Sequence, residues 1–212
     1  MNQDCPLCGT ASGFFAKEGP RSFFRCPECE LIHVLASERL DLQSETKRYE
    51  LHQNNSSDQG YRTFLDQLLI PLAKVLKPGA RGLDYGCGPG PTISVMLAER
   101  GFLMTNYDPI FFKDETALST DYDFITCTEA AEHFFDPARE FKQLDKLLRP
   151  GGKIGMMTST YHDEQSFEKW HYAKDPTHVS FYSRKTIDKI ARRQGWACSM
   201  ERDNVILFHK PQ

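Results

Sequence analysis

Gly82-Leu-Asp-Tyr-Gly-Cys-Gly-Pro-Gly90 is the stretch whose reading decides the fold. It follows a Pro78-Gly79 break and precedes a helix-compatible run from Thr92 to Arg100. The order therefore reads strand, tight glycine turn, helix. Gly86, Gly88 and Gly90 allow a sharp turn and let a ligand approach the backbone without meeting a Cβ. The helix N-terminus behind the turn favours a carboxylate or a phosphate. The spacing is Gly-x-Gly-x-Gly, not the Gly-x-Gly-x-x-Gly of a nicotinamide site.

Working outward, Asp84 sits two residues before the first glycine of the turn. Downstream, the apolar segment Phe102-Leu-Met-Thr-Asn-Tyr107 ends in Asp108, about 20 residues beyond the turn, where an acid can accept both hydroxyls of a ribose. A third segment, Tyr122-Asp-Phe-Ile-Thr-Cys-Thr128, runs into Glu129-Ala-Ala-Glu-His133. Leu147-Leu-Arg-Pro-Gly-Gly152 then precedes the strand Lys153-Ile-Gly-Met-Met-Thr158.

This succession resembles a class I S-adenosylmethionine-dependent methyltransferase. The residues that carry the resemblance are LDYGCGPG (83–90), YDP (107–109), EAAEHFFDP (129–137) and LLRPGG (147–152). The resemblance implies an α/β fold: a Rossmann-like, doubly wound, mostly parallel sheet with a reversed C-terminal strand. It implies S-adenosyl-L-methionine as cofactor. Gly86, Gly88 and Gly90 would face its methionine part, Asp84 would support their loop, Asp108 would take the ribose and Glu129 would border the site. One departure stands out. Only residues 109–121 separate the ribose acid from the next strand, too few for a helix–strand–helix unit. The resemblance therefore implies an abbreviated adenine pocket.

Cys5-Pro-Leu-Cys8 and Cys26-Pro-Glu-Cys29 are two CxxC units. Two thiolates on a turn bind one face of a metal ion, and a second pair completes a tetrahedron. The spacing is that of a zinc ribbon binding Zn2+; a redox pair and an iron–sulfur cluster are the competing readings. Phe14-Phe15 and Ser22-Phe-Phe-Arg25 between the knuckles are short β-like runs. So small a module needs the metal to hold it together. Lys17, Arg21 and Arg25 stand against Asp4, Glu18, Glu28 and Glu30, so the ribbon lacks the clustered cations that phosphate contacts require.

Composition sets the remaining bounds. The 212 residues, 40% hydrophobic, suffice for one good core plus a small appendage. No apolar run of about 18 residues exists, so no membrane span is expected. Met-Asn-Gln-Asp-Cys5 lacks a basic n-region, so no secretory signal is expected and the cytoplasm is the default. A net charge of -3 argues against a strong nonspecific pull on nucleic acid. Asp175-Pro-Thr-His-Val-Ser-Phe-Tyr182 is similar to a stretch in a bacterial methyltransferase subgroup that acts mainly on small molecules, a resemblance that implies a small-molecule acceptor as partner.

The expected organisation is a ribbon over residues 1–36, a linker or active-site cover over 37–60, and the cofactor-binding domain over 61–212. Tyr49 and His52, at the end of the linker, are candidates for folding over the cofactor. Tyr61 to Leu76 reads as an amphipathic helix that Pro71 should kink. Ser183 to Gln194 reads as a helix whose Arg184, Lys185, Lys189, Arg192 and Arg193 form a solvated face, with an anionic or RNA contact as the alternative. Trp196 to Arg202 and Val205 to Lys210 should form a hairpin about Asp203-Asn204.

Glu132 and His133 follow the fourth strand, where cofactor and acceptor should meet. His133 has a pKa suited to general-base catalysis, and a structural role for the pair is the alternative. The aromatic and histidine-rich insert from Tyr161 to Tyr182 leaves the carboxyl end of a strand, where open α/β sheets bind ligands. Trp170, His171, Tyr172, His178 and Tyr182 are therefore candidates for an acceptor wall. His171, Asp175 and His178 also have the makings of a two-histidine, one-carboxylate metal site. A non-catalytic cofactor-binding protein and an RNA methyltransferase docking through its ribbon are the rival readings of the whole chain.

Overall fold

The computed structural model describes residues 3–50, 55–162, 167 and 170–212. From the N-terminus run β1 (Gln3–Asp4), β2 (Ala11–Glu18), β3 (Arg21–Arg25), β4 (Ile32–Val34) and α1 (Leu42–Tyr49). Next come α2 (Gln59–Val75), β5 (Arg81–Tyr85), α3 (Thr92–Glu99), β6 (Leu103–Tyr107), β7 (Tyr122–Thr128), α4 (Pro137–Leu147) and β8 (Leu148–Met157). The chain closes with β9 (Ser180–Phe181), α5 (Arg184–Gln194), β10 (Ala197–Arg202) and β11 (Val205–His209).

The larger sheet has the order β10-β11-β8-β7-β5-β6. Strands β8, β7, β5 and β6 are parallel, and β11 is antiparallel to β8. The centre is apolar because it is covered on both faces: Phe124, Ile125 and Cys127 of β7 are fully buried. α2 covers one face with Leu65, Leu68, Leu69 and Leu72, capped by the Asp58 carboxylate accepting from the Tyr61 N–H. It runs from Gln59 to Val75 with Pro71 inside it. α5 begins in a Ser183–Thr186 capping box and ends at left-handed Gly195.

Among the described residues no further strand lies beyond β6: a turn at Asp108–Phe112 and a 3-10 turn (Glu115–Ser119) lead straight to β7. This matches the shortness of 109–121 and leaves β6 as an edge, with Leu103 61% exposed. The Pro150-Gly151-Gly152 break, expected before the fifth strand, lies inside β8. Pairing passes from Tyr122↔Leu148 to Phe124↔Lys153 with a register shift. A bulge tolerates proline and glycine because the ladder is already interrupted there. Among the described residues, no helix is long and apolar enough to cross a membrane.

The smaller sheet, β1-β2-β3-β4-β9, is completed by a strand from the far end of the sequence. Ile32 pairs with Phe181 and His33 with Ser180. Cys5, Leu7, Cys26, Cys29 and Leu31 share one core with Leu83, Ile125 and Ile187 of the large domain. The ribbon thus borrows a core that so few residues cannot build alone. The basic face of α5, expected to be solvated, keeps Arg184, Lys185, Arg192 and Arg193 exposed, and part of it also meets the ribbon. Lys189 pairs with Glu28 at 2.9 Å and Lys185 with Glu30 at 3.5 Å. Arg193 donates to the Leu7 carbonyl, and Thr186 Oγ1 to the Cys29 carbonyl at 2.9 Å.

Candidate active site

A cavity of about 720 Å³ opens at the carboxyl ends of β5, β6 and β7. That is the size range of small-molecule and cofactor sites, at the place where open α/β sheets bind ligands. Its first wall is the glycine turn. Gly86 has φ +76° and donates its N–H to the Tyr107 carbonyl at 2.8 Å. A Cβ there would stand 2.7 Å from the Ala130 Cβ, so only glycine fits. Gly88, at φ +62°, donates to Asp108 Oδ2 at 3.0 Å. Asp108 Oδ1 accepts from the N–H groups of Ile110 (2.8 Å) and Phe111 (3.0 Å). Asp108 therefore ties the glycine turn to the next loop while lining the cavity.

Asp84 is buried beneath this wall and accepts from Thr126 Oγ1 at 2.8 Å. Burial pushes its pKa up to about 7, with the Asp108 charge adding and the Thr126 bond opposing. Gly90 and Thr92 bring the N-terminus of α3 to the cavity. The Thr92 hydroxyl is buried there without a partner among the described residues. An unpartnered hydroxyl, a helix N-terminus and a carboxylate facing one cavity fit the amino acid and ribose parts of S-adenosylmethionine.

The second wall is assembled from distant segments. Glu129 stands at the end of β7 with φ +48°, its N–H on the Met157 carbonyl at 2.8 Å. Burial first, and then the charge of Glu132, raise its pKa above the usual carboxylate range. Glu132, 0% exposed, accepts from Thr158 Oγ1 at 2.9 Å through Oε2, and its Oε1 has no partner among the described residues. His133 Nδ1 lies 3.0 Å from the Thr177 carbonyl, and His178 Nδ1 lies 2.7 Å from the Tyr172 carbonyl. A carbonyl only accepts, so both Nδ1 atoms carry a proton, which leaves a lone pair on Nε2 whenever the ring is neutral. The two rings stand 4.9 Å apart. Burial lowers the His178 pKa, which keeps its ring neutral.

One donor atom each from Glu132, His133 and His178 lies within 4.8 Å of the others. Two imidazoles and a carboxylate form the donor set of a first-row divalent metal site. Histidine ligands commonly donate their other N–H to a carbonyl, as both do here. The sequence pairing of His171 and Asp175 with His178 is not what forms. His171 is exposed, and Asp175 is held by Arg48 (3.2 Å) and Thr177 Oγ1 (2.7 Å).

Tyr49 meets the cavity through α1, its ring 5.2 Å from His133 and its hydroxyl 2.8 Å from Glu45 Oε1. Leu42 and Glu45, also on α1, line the cavity and were not singled out in the sequence. A helix capped by Asp41 was the available signal. His52 lies outside the described residues.

Of the five candidates for an acceptor wall, only His178 lines the cavity. Tyr182 is fully buried, its hydroxyl on the Ala131 carbonyl at 2.8 Å, behind the turn that carries Glu132 and His133. The Tyr172 hydroxyl meets Thr158 at 3.1 Å, and Trp170 stacks on Tyr172 at 4.9 Å. Tyr161, Phe167, Tyr172 and Phe181 form a core with Phe23, Ile32 and Val34 of the ribbon. Nearby ribbon strands outcompete solvent for these rings, so most of the insert became packing.

At the knuckles the sulfurs of Cys5 and Cys29 are 3.5 Å apart, those of Cys8 and Cys26 3.4 Å, and those of Cys8 and Cys29 3.7 Å. Tetrahedral zinc with bonds of about 2.3 Å separates its sulfurs by about 3.8 Å, so the four fit one ion.

A doubly wound sheet with this glycine turn and this cavity defines the fold class of the Rossmann-like methyltransferases. Residues 57–199 match the family model described as a methyltransferase domain, and the chain belongs to that family. It is similar to the ubiquinone biosynthesis O-methyltransferase of Xanthomonas campestris pv. campestris (strain B100), 33% identical over 110 residues, 41% of this chain and 46% of that protein. The protein of that name from Pseudomonas aeruginosa (strain LESB58) is 30% identical over 104 residues, 38% of this chain and 44% of its own. The chain thus spans less than half the length of these curated relatives. An O-methyltransferase family protein from Burkholderia thailandensis superposes with TM-score 0.54 at 15% identity, over 84% of this chain and 66% of that one. A methyltransferase of calicheamicin biosynthesis, in its SAH-bound form, gives 0.51 at 13% identity, over 81% and 59%. Both share the fold.

Proposed function

We propose that this chain transfers the methyl group of S-adenosyl-L-methionine to a hydroxyl oxygen of a small-molecule acceptor. One observation carries the reading: a single cavity has the glycine turn and Asp108 at one end and the free Nε2 atoms of His133 and His178 with Glu132 at the other. The cofactor supplies an electrophilic methyl carbon on a sulfonium. Gly86, Gly88, Gly90 and Asp108 hold it, with Asp84 beneath their loop. Glu129 borders it at the end of β7. Tyr49 and α1 close the cavity over it and exclude water. His133 Nε2 takes the acceptor proton, with Glu132 beside it to stabilise the imidazolium. Alignment is worth up to about 7–11 kcal/mol in ideal cases, and base catalysis about 10²–10⁴-fold.

The names of the curated relatives support an oxygen acceptor of low molecular mass. The net charge of -3 and the engagement of the α5 cations by the ribbon count against nucleic acid. In this reading residues 1–36 are a zinc ribbon, 37–60 a linker or active-site cover and 61–212 the catalytic domain; the four-cysteine cluster supports Zn2+ as a structural ion. Seven free cysteines suit a reducing compartment, the cytoplasm.

Titration of S-adenosylhomocysteine into wild type and Asp108→Ala by calorimetry tests the cofactor. Micromolar binding should weaken at least about tenfold in the variant, about 1.4 kcal/mol. No binding by folded, zinc-loaded wild type overturns the reading.

The unpartnered Glu132 Oε1 favours a second reading of the acceptor end, a divalent cation held by Glu132, His133 and His178. Such an ion would supply Lewis acidity to an acceptor hydroxyl. Metal content distinguishes the two. Wild type should then carry two ions and Glu132→Ala one; a single ion in both leaves base catalysis.

A further inference from the structure

The second wall depends on a residue outside the catalytic domain. Arg21 opens β3 of the ribbon and is only 6% exposed. Its Nη1 donates to the carbonyls of Asp175 (2.9 Å) and His178 (3.0 Å), and its Nη2 to the carbonyl of Ala173. All three acceptors belong to the segment that delivers His178 to the cavity, a single helical turn (His171–Lys174) and the loop that follows it. The guanidinium also lies 5.3 Å from the centre of the Phe23 ring, which restricts its plane. The next residue is gripped as well: Val179 donates its N–H to the Glu132 carbonyl at 2.8 Å and accepts from the Val34 N–H at 3.0 Å. The ribbon therefore holds the chain on both sides of the His178 Cα.

We propose that Arg21 is a positioning residue for the acceptor site: it fixes the 173–178 loop so that His178 faces Glu132 and His133. A planar fork of donors can meet three divergent carbonyls at once, which a lysine ammonium cannot do in the same geometry. Without it, the carbonyls of Ala173 and His178 lose their donor and that of Asp175 keeps only the His178 N–H at 3.2 Å, so the segment must rearrange to reach water. The ribbon then contributes to turnover through His178 and not through contact with either substrate. This inference rests on the proposed role of the second wall.

Arg21→Lys and Arg21→Ala, in the zinc-loaded full chain, test it with three readouts. Calorimetry with S-adenosylhomocysteine reports the glycine wall, which Arg21 does not touch. NMR of the imidazole groups, with His178 assigned by His178→Gln, reports the loop directly and does not require turnover. Steady-state kinetics separates kcat from acceptor KM. In both variants the His178 resonances should shift, and kcat should fall at least about tenfold, the loss expected of a slightly misplaced group. Cofactor affinity and zinc content should stay within about twofold of wild type. Added guanidinium ion should restore part of the kcat of Arg21→Ala. Unmoved His178 resonances in folded Arg21→Lys overturn the proposal. So does a fall in cofactor affinity as large as the fall in kcat, which would mark a general loss of structure. Wild type that binds no cofactor would overturn the methyltransferase reading, while the His178 resonances would still test the clamp.

Discussion

At the glycine end of the cavity, the groups that matter come from Asp84–Thr92 and Tyr107–Phe111, two runs of consecutive residues leaving neighbouring parallel strands. At the histidine end they come from α1, Glu129–His133, Thr158 and His178, with Arg21 behind. The first end is bound by hydrogen bonds between adjacent loops, such as Gly88 to Asp108. The second is bound by contacts between residues up to 157 positions apart, such as Arg21 to His178. A locally built site survives perturbation elsewhere in the molecule; a site assembled from distant segments inherits the stability of everything that holds them. The two ends should therefore separate under mutation.

The strongest break is Cys29→Ala. Structural zinc sites contribute about 10–16 kcal/mol in isolated fingers, and the borrowed core will retain part of that here. Zinc content should fall to zero at the ribbon, hydrogen exchange should accelerate across β1–β4 and β9, and turnover should be lost. S-adenosylhomocysteine binding should weaken far less; equal loss of both would show that the ends are one cooperative unit. Next, if Glu132 serves the proposed acceptor end, Glu132→Gln should lower kcat by about 10²–10⁴-fold with little change in cofactor affinity. A kcat within a factor of three of wild type would assign Glu132 to structure alone.

Gly86→Val sharpens the comparison from the other side. A β-branched residue at φ +76°, with its Cβ 2.7 Å from Ala130, costs about 1–3 kcal/mol in backbone strain alone. Calorimetry should show cofactor affinity down about 10–100-fold, with the His178 resonances in place. Asp84→Asn is the mildest. The folded pKa of Asp84, about 7, lies above its unfolded value, so between roughly pH 4 and 7 the folded state holds a proton that the unfolded state has lost. That stabilisation is present in full below the unfolded pKa and fades as pH rises through the folded one. Asparagine does not titrate, so the stability of the variant relative to wild type should rise across that window in denaturant titrations. A flat difference would show that Asp84 is ionised throughout.

The legibility of the molecule follows the same division. The glycine turn, the acid at residue 108, the four cysteines and the missing unit at 109–121 were readable, since each is a short-range pattern whose spacing dictates a geometry. The bulge that carries Pro150 and Gly151 inside β8 was not, because a proline–glycine pair signals a turn until a neighbouring strand supplies the pairing. Of the insert 161–182, expected to form an acceptor wall, His178 reaches the cavity while Trp170, His171, Tyr172 and Tyr182 do not. Aromatic residues report only that something will bury them, and here Phe23, Ile32 and Val34 do so. The cations of α5 gave no hint of Glu28 and Glu30, which lie more than 150 positions away.

Local sequence determined the glycine turn and the hairpin about Asp203-Asn204, because backbone sterics and hydrophobic alternation act over a few residues. The layered α/β core with its reversed last strand was legible through the resemblance that the four motifs carry. Only the tertiary structure decided which histidine joins Glu132 and His133, that Trp170 and Tyr182 serve packing, and that an arginine of the ribbon holds the acceptor loop. Those outcomes depend on which buried donors and acceptors meet across the fold, a condition that no local stretch of sequence contains.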